Sequence, residues 1–252
     1  MKIIKFLFSE DAVSEVLDFI TVLSILVISI GIIGVTGYPL VKTAQEVNNI
    51  ETTKQSFIVL AANINKVALG QAPSQSVELK MYGGSLTITG SSTINITANN
   101  SNGNRITLVN STMRSIESVV GENVIAYEGT GVWIKYPDGN TFLVYKPLIT
   151  NQSNVLVIPV VSINGSSSTG GSGMSRVTVK GTPRATYYNN VSDVIVRINS
   201  SYSKGWEGYS KKTMSWSFCF SGGASGDCTG SLNTAENIDV YILNVQLDAE
   251  VV

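Results

Sequence analysis

Any acid–base chemistry in this chain would have to rest on carboxylates or lysines, because the sequence contains no histidine. Histidine is the commonest general base and the commonest metal ligand in proteins. The candidate carboxylates are Glu122, Glu128, Asp138, Asp193, Glu207, Asp227, Glu236, Asp239, Asp248 and Glu250. They are scattered, mostly in predicted turns where solvation explains them, and no two stand out as an acid–base pair. We therefore expect neither an enzyme nor a metal or cofactor site.

Cys219 and Cys228 are the only cysteines, and a glycine-rich segment that follows a predicted strand separates them. A disulfide between them would close a hairpin. Two thiols so placed are expected to pair in an oxidising exterior, whereas zinc would need two further ligands. We predict a Cys219–Cys228 disulfide.

Sequons of the form N-x-S/T indicate an exported, glycosylated domain. The chain has seven of them, at Asn95, Asn99, Asn110, Asn151, Asn164, Asn190 and Asn199. Composition alone would give about four, so that the excess is mild.

Aromatic side chains supply the remaining candidates for a binding surface. Trp133 and Trp216 lie within strand patterns, which favours positions in the core. Trp206, between glycines and lysines in SKGWEGYSKK, is the better candidate for binding glycans or surfaces, and the Tyr187–Tyr188 pair is another.

The overall composition is polar but poor in charge. The net charge is −1 and only 14% of residues are charged. This balance argues against nucleic acid as a partner and suits a protein of the cell envelope. The hydrophobic content of 43% favours a packed core over disorder.

An uncharged segment, FITVLSILVISIGIIGVTGYPLV, occupies residues 19–41. As a helix it would be roughly 34 Å long, and the apolar core of a bilayer is roughly 30 Å thick. We predict a leader or cytoplasmic segment at residues 1–12 and a transmembrane helix at 13–41, with the C-terminal domain outside the cell. A buried helix of a soluble domain is the alternative.

Small residues interrupt the span at Gly31, Gly34 and Gly37. They indicate either a face for close helix packing or the ordinary tolerance of membrane helices for glycine. Pro39 is expected to kink or loosen the helix where it leaves the bilayer.

A helical stalk is predicted at residues 42–70. Its apolar side chains recur at three- and four-residue spacings: Val47, Ile50, Phe57, Leu60, Ile64 and Val67. Either the β domain of the same chain or a helix of another chain must cover this stripe. Gly70 and Pro73 indicate the end of the helix.

Residues 71–252 read as a β-rich extracellular domain. About twelve short β-branched or aromatic segments alternate with turn signals such as Gly83–Gly84, Glu128–Gly129 and Lys204–Gly205. The pattern predicts an α+β protein in which an antiparallel, sandwich-like domain follows the long helix. The stretch GSSSTGGSG at residues 165–173 is interpreted as an exposed loop within that domain, and the alternative is a linker between two subdomains, 71–164 and 174–252.

The segment DAVS before the span resembles the N-terminus of archaeal type IV pilin-like proteins. That resemblance implies cleavage by a prepilin-type peptidase between Ala12 and Val13. Further segments, AVSEVLDF, EVNN, IVLAANI, GQAPSQSVELKM, NVIAYEGTGV and VIPVV, resemble an archaeal family of envelope proteins with a pilin-like N-terminus, a β-rich outer domain and no established activity.

Two functions are consistent with these features. The first is a pilin-like subunit or minor pilin, whose N-terminal helix packs with other pilin-like subunits or with copies of itself in a filament. The second is an adhesin or scaffold that stays tethered to the membrane by this helix. The size of the outer domain and the acidic junction at Glu10–Asp11 favour the second.

Overall fold

A computed structural model describes the backbone of residues 10–211, 217–219, 227–232 and 237–252, and the side chains of residues 16–211 and 237–252. The chain forms two compact units, Met1–Asn48 and Asn49–Val252. The helices are α1 (Glu10–Ala68) and α2 (Ser203–Tyr209). The strands are β1 (Ser74–Thr89), β2 (Thr93–Asn99), β3 (Arg105–Thr112), β4 (Ser115–Val120), β5 (Asn123–Glu128), β6 (Gly131–Lys135), β7 (Thr141–Tyr145), β8 (Thr150–Gln152), β9 (Val155–Asn164), β10 (Ser168–Asn199), β11 (Ser217–Cys219), β12 (Asp227–Leu232) and β13 (Ile238–Val251).

The predicted span and stalk belong to one helix, α1. It stays helical through Pro39, so that the proline does not end it, and its last residue is Ala68. Gly70 then adopts φ +72°, and its N–H donates to the carbonyl of Val67 at 3.0 Å. This left-handed residue satisfies a carbonyl of the last helical turn, which is the role the sequence predicts for Gly70.

The strands form two sheets that share β10. The first has the order β7–β6–β5–β4–β1–β10–β13–β9–β8, and the second has the order β3–β2–β10–β12–β11. β10 pairs with β1 and β13 in its first part and with β2 and β12 near its end. Among the described strands only β9 and β13 pair in parallel. The predicted α+β class, with a long helix before a mostly antiparallel β domain, is confirmed.

Two hydrophobic cores lie on opposite faces of the first sheet. Along β13, Val245 and Leu247 belong to the first core, which α1 covers, whereas Val240 and Ile242 belong to the second core, which the second sheet covers. Because successive side chains of a strand point to opposite faces, one strand contributes to both cores. The second unit is therefore built in three layers: helix, first sheet and second sheet.

The apolar stripe of the stalk is the surface that α1 packs against the first sheet. Phe57, Leu60, Ile64 and Val67 are each no more than 1% exposed and contribute to the first core. Val47, at the start of the stripe, is 61% exposed. The β domain of the same chain therefore covers this stripe, apart from its first residue.

The turn predicted at Gly83–Gly84 is wrong. β1 continues through both glycines, and the pairing with β10 shifts register between Tyr82 and Gly84. A Cβ atom at Gly84 would lie 1.7 Å from the carbonyl oxygen of Val119 on the neighbouring β4. The glycine is thus required by the close approach of two backbones at a β-bulge.

Two further turn or loop predictions are wrong for related reasons. Most of the loop predicted at residues 165–173 is the start of β10, where Ser168–Gly173 pairs with β1. Lys204–Gly205 lies in α2, and a Cβ atom at Gly205 would lie 2.7 Å from the ring of Trp133. Gly205 is therefore required by packing against the Trp133 ring, whereas the glycines of Ser168–Gly173 belong to a paired strand.

Candidate functional site

The exposed half of α1, residues 16–48, is the main candidate for a functional surface. Its large apolar side chains, from Val16 to Val47, are between 48% and 77% exposed. In the described part of the chain, α1 is the one helix that is long and apolar enough to cross a membrane. An apolar surface of this length far exceeds the scattered exposed side chains of ordinary soluble proteins, so that it calls for an apolar environment.

The serine and threonine hydroxyl groups between residues 16 and 41 bond to their own helix. The Oγ1 of Thr36 donates to the carbonyl of Ile32 at 2.8 Å, and the same one-turn bond is made by Thr21, Ser24 and Ser29. An unsatisfied hydroxyl in hydrocarbon would cost several kcal/mol. With these bonds made inside the helix, the four side chains are compatible with lipid or with the apolar side chains of other helices.

The glycines of the span leave part of this surface open. A Cβ atom built at Gly31, Gly34 or Gly37 would meet no described atom within 4 Å. Pro39 has no N–H, so that the carbonyl of Val35 one turn earlier lacks its usual donor. These features would allow a second helix to approach α1 closely, and they would equally be tolerated in lipid.

A buried polar junction fixes the other half of α1 to the β domain. Asn65, 4% exposed, donates through Nδ2 to the carbonyl of Thr130 at 3.0 Å and accepts a bond from the Tyr127 hydroxyl at 2.9 Å. Thr130 has φ +68°, a strained value for a β-branched residue, in the turn between β5 and β6. Because Asn65 satisfies both groups, it sets the register of α1 on the sheet.

A buried carboxylate lies on the opposite side of that turn. Glu128 is 0% exposed and accepts bonds from Ser92 Oγ (2.6 Å), Ser200 Oγ (2.6 Å) and Trp206 Nε1 (3.0 Å). Burial raises the pKa of the Glu128 carboxyl above its usual 4.5, and the three bonds oppose that shift. The ring of Trp133 stacks on that of Trp206 at 4.6 Å between centroids.

The Glu128 cluster holds several segments of the second unit together. Its donors come from the connection before β2, the residue that follows β10, and α2, so that one carboxylate joins three segments to the end of β5. The carboxylate is fully enclosed by these partners and their neighbours.

Comparison with known families identifies this architecture. A family model described as "Family of unknown function (DUF7289)" matches residues 12–250. The chain belongs to this family. No curated protein and no solved structure matches it. The DUF7289 match includes the long apolar helix and nearly all of the β-rich domain, which together form a pilin-like architecture.

Two of the aromatic and acidic residues singled out in this DUF7289 chain have other roles than predicted. Trp206, expected at the surface, is 2% exposed in the second core, and Glu128, expected in a solvated turn, is fully enclosed. Trp133 is buried as predicted, and Tyr187 is 50% exposed. Trp216 lies outside the described residues.

The other candidate carboxylates whose side chains are described are dispersed over the surface, whereas the side chains of Asp227 and Glu236 lie outside the described residues. Asp138 caps its own turn by accepting from the N–H of Asn140 at 2.9 Å, which holds the pKa of Asp138 below its usual value. Asp193 pairs with Arg105, and Glu207 pairs with Lys211. Among the described side chains, no three of the metal-binding types gather into a group that could hold an ion.

The predicted glycosylation and processing residues are accessible or lie outside the described side chains. Five sequon asparagines are exposed and two are half-buried; the exposed ones are Asn110, Asn151, Asn164, Asn190 and Asn199, and the half-buried ones are Asn95 and Asn99. Backbone pairing sets Cys219 opposite Thr229, next to Cys228, but both cysteine side chains lie outside the described ones. The same is true of Ala12 and Val13, whose backbone belongs to α1.

Sequence reasoning missed the polar residues that organise the second unit. Asn65 carried a usable signal, because it is a polar residue next to Ile64 on the apolar stripe of α1. Ser92 and Ser200 carried none, since both are small residues in connections whose partner, Glu128, is distant in the sequence.

Proposed function

We propose that this protein is a pilin-like subunit of the cell surface. The exposed half of α1 would first anchor the chain in the membrane and then pack against other pilin-like helices, including copies of itself, in a filament. The observation that carries the proposal is the apolar surface of residues 16–41, which no described residue of the chain covers.

The chemistry of that surface supports both environments. Its four serine and threonine hydroxyls are bonded within the helix, so that neither lipid nor a neighbouring helix has to satisfy them. Its length, about 23 uncharged residues at about 1.5 Å each, suits a bilayer. Its open glycine positions suit close contact between helices.

Processing before assembly is part of the proposal. The DAVS segment resembles a prepilin junction, and the DUF7289 match begins at Ala12. A peptidase would cut between Ala12 and Val13, which would leave the apolar helix at the mature N-terminus. The β domain would then lie outside the cell, with a Cys219–Cys228 disulfide, glycans on some of its sequons, and a structural rather than enzymatic role.

A permanently tethered adhesin or scaffold is the second candidate. The acidic residues Glu10 and Asp11 directly precede the proposed cut, where the resembling proteins carry a basic residue. An uncut chain would keep its N-terminal segment in the cytoplasm, and α1 could not leave the bilayer.

The mature N-terminus and the location of the protein in the native cell distinguish the two candidates. Intact mass and N-terminal sequencing of protein from sheared surface filaments are expected to give a chain that starts at Val13. An Ala12→Leu variant is expected to keep residues 1–12 and to stay in the membrane fraction, whereas the control Ser9→Ala should behave like the wild type. Wild-type protein that retains residues 1–12 and never enters the sheared fraction would establish the tether instead.

A further inference from the structure

A β-bulge near the end of β10 presents one of the seven sequons. The pairing with β13 shifts between Tyr188 and Val191, so that Asn189 and Asn190 together lie opposite Asp239. Asn190 is exposed and has φ +53°, a left-handed value that asparagine adopts more readily than most residues. Its N–H donates to Asp239 Oδ1 at 3.0 Å, which fixes the bulge.

The side-chain amide of Asn190 is also oriented. Its Oδ1 accepts a bond from Asn237 Nδ2 at 2.9 Å. Because the oxygen and nitrogen of an amide diverge from the same carbon, this bond turns the Nδ2 of Asn190 away from Asn237. That nitrogen is the atom that N-linked glycosylation modifies.

An exposed aromatic pair lies beside the bulge. Tyr187 and Tyr241 are directly opposite each other on β10 and β13, with ring centroids 4.6 Å apart and planes inclined by 36°. They are 50% and 38% exposed. The Tyr187 hydroxyl donates to Asp239 Oδ2 at 2.8 Å, so that the same carboxylate holds the ring pair and the Asn190 backbone.

We infer that Asn190 carries an N-linked glycan whose first sugars pack on the Tyr187–Tyr241 ring pair. This inference rests on the proposed surface location, because the modification requires an exported domain. The faces of aromatic rings are electron-rich, and the C–H groups on one face of a pyranose carry partial positive charge, so that a sugar beside the bulge would cover the rings favourably. The occupant is therefore a modification of this chain.

The attachment itself is a group transfer with a lipid-linked sugar phosphate as donor. The bond from the anomeric carbon to the phosphate oxygen breaks, and a bond from that carbon to Asn190 Nδ2 forms. The amide nitrogen loses one proton, the lipid phosphate departs with the bonding electron pair, and no oxidant or reductant is needed.

Three of the other sequons lie in different surroundings. Asn95 and Asn110 lie opposite each other on β2 and β3, and Asn151 on the short strand β8 lies opposite Leu156. At Asn190, by contrast, the Asp239 carboxylate bonds both to the backbone of the sequon and to an exposed tyrosine. We therefore expect occupancy of Asn190 to change the exposure of a tyrosine.

Two variants of the sequon serine test the inference in full-length protein isolated from the native cell. Ser192→Ala removes the sequon without altering Asn190, and Ser192→Thr keeps it. We expect glycopeptide mass spectrometry to find glycan on Asn190 in the wild type and in S192T only. We expect tetranitromethane to nitrate Tyr187 several-fold faster in S192A than in either glycosylated protein, and Ser153→Ala, which removes the Asn151 sequon, to leave that rate unchanged.

Three results would overturn the inference. Glycan on other sequons but not on Asn190 would do so while leaving the surface location intact. Equal nitration of Tyr187 in wild type and S192A would show that the glycan does not pack on the rings, or that another molecule covers them. Absence of glycan from all seven sequons would also overturn it. In that case, labelling of lysines on intact cells with a membrane-impermeant reagent would test separately whether the domain lies on the cell surface.

Discussion

The two halves of α1 are both rich in apolar side chains, but they bury them differently. In the exposed half, residues 16–48, none of the large apolar side chains is buried, and between residues 16 and 41 they occur on all sides of the helix. In the buried half, residues 49–68, most of them form one stripe, with Val59 exposed outside it, and polar residues such as Glu51 and Gln55 occupy the outer side and bond to each other. Val47 is 61% exposed, whereas Phe57, ten residues later, is 1% exposed.

The difference shows what each half is built to contact. A stripe needs one partner surface, and the first sheet provides it within the same chain. A helix that is apolar on all sides has no polar face to turn toward water. Only an apolar medium or several surrounding helices can cover such a surface. Each fully buried Leu, Ile or Phe contributes about 1.5–3 kcal/mol, so that the stripe alone can hold the buried half on the sheet.

The largest expected effect comes from truncating a stripe residue. Phe57→Ala should lower the free energy of unfolding of the β domain by about 3–5 kcal/mol, because it removes a buried ring and leaves a cavity. Val47→Ala, the matched change at an exposed position of the same helix, should alter it by less than about 0.5 kcal/mol. Denaturant unfolding in detergent would measure both; equal losses would contradict the distinction between the halves.

A charged residue in the exposed half should weaken insertion into the membrane without lowering the stability of the β domain. Ile28→Lys is expected to disfavour insertion by about 2.5–3.5 kcal/mol and to move protein from the membrane fraction to the soluble or degraded fraction. Ile28→Leu is the control, and unfolding of the β domain should be the same in both variants. Undiminished membrane retention of the lysine variant would argue that the exposed half does not lie in lipid.

Polar side chains provide a third contrast between the halves. Asn65→Ala leaves the Thr130 carbonyl and the Tyr127 hydroxyl without their partner and should cost about 1–3 kcal/mol of unfolding free energy. Ser24→Ala in the exposed half removes a bond that is internal to the helix and should leave domain stability unchanged. Circular dichroism of thermal unfolding would compare them, and a neutral Asn65→Ala would refute the role assigned to the junction.

The smallest effect is a pH dependence confined to the second unit. The pKa of Glu128 is raised on folding, so the folded state binds its proton more tightly than the unfolded state does. The stabilisation from this tighter proton binding is complete below the usual pKa of 4.5, and it is lost as the pH rises through the higher pKa that Glu128 has in the folded state. The loss is at most about 1.4 kcal/mol of unfolding free energy per pH unit. Glu128→Gln should remove this slope, and the difference in stability between wild type and E128Q, measured across pH, should shrink as pH rises. A difference that is constant with pH would contradict the assignment.

The features that sequence predicted well are those governed by local pattern. The uncharged run, the stripe from Phe57 to Val67, the stop at Gly70 and the alternation of most strands all depend on side chains close in the sequence. Predicting these features required no knowledge of the residues that contact them from distant parts of the chain. The same is true of the turn at Glu128–Gly129, where Gly129 adopts φ +57°.

The features that sequence missed depend on distant partners. Gly84 signals a turn in isolation, but the backbone of β4 makes it a bulge. β4, with the sequence SIESVV, buries Ile116, Ser118 and Val120 on one face, and the serine on that face weakens the apolar alternation that signals a strand. Trp206 and Glu128 are polar or amphipathic residues in turn-like surroundings, and only the meeting of α2 with the end of β5 reveals that they are buried together.

The central claim is that the apolar part of the exposed half of α1, residues 16–41, lies in an apolar environment on all its sides. Nitroxide labels on single cysteines at Val22, Ile25 and Ile28, in protein reconstituted in lipid with Cys219 and Cys228 replaced by serine, test it directly. We predict frequent collisions with oxygen and rare collisions with a water-soluble nickel chelate at all three positions, and the reverse at a label on Val47. Nickel collisions at Val22, Ile25 and Ile28 as frequent as those at Val47 would contradict the account.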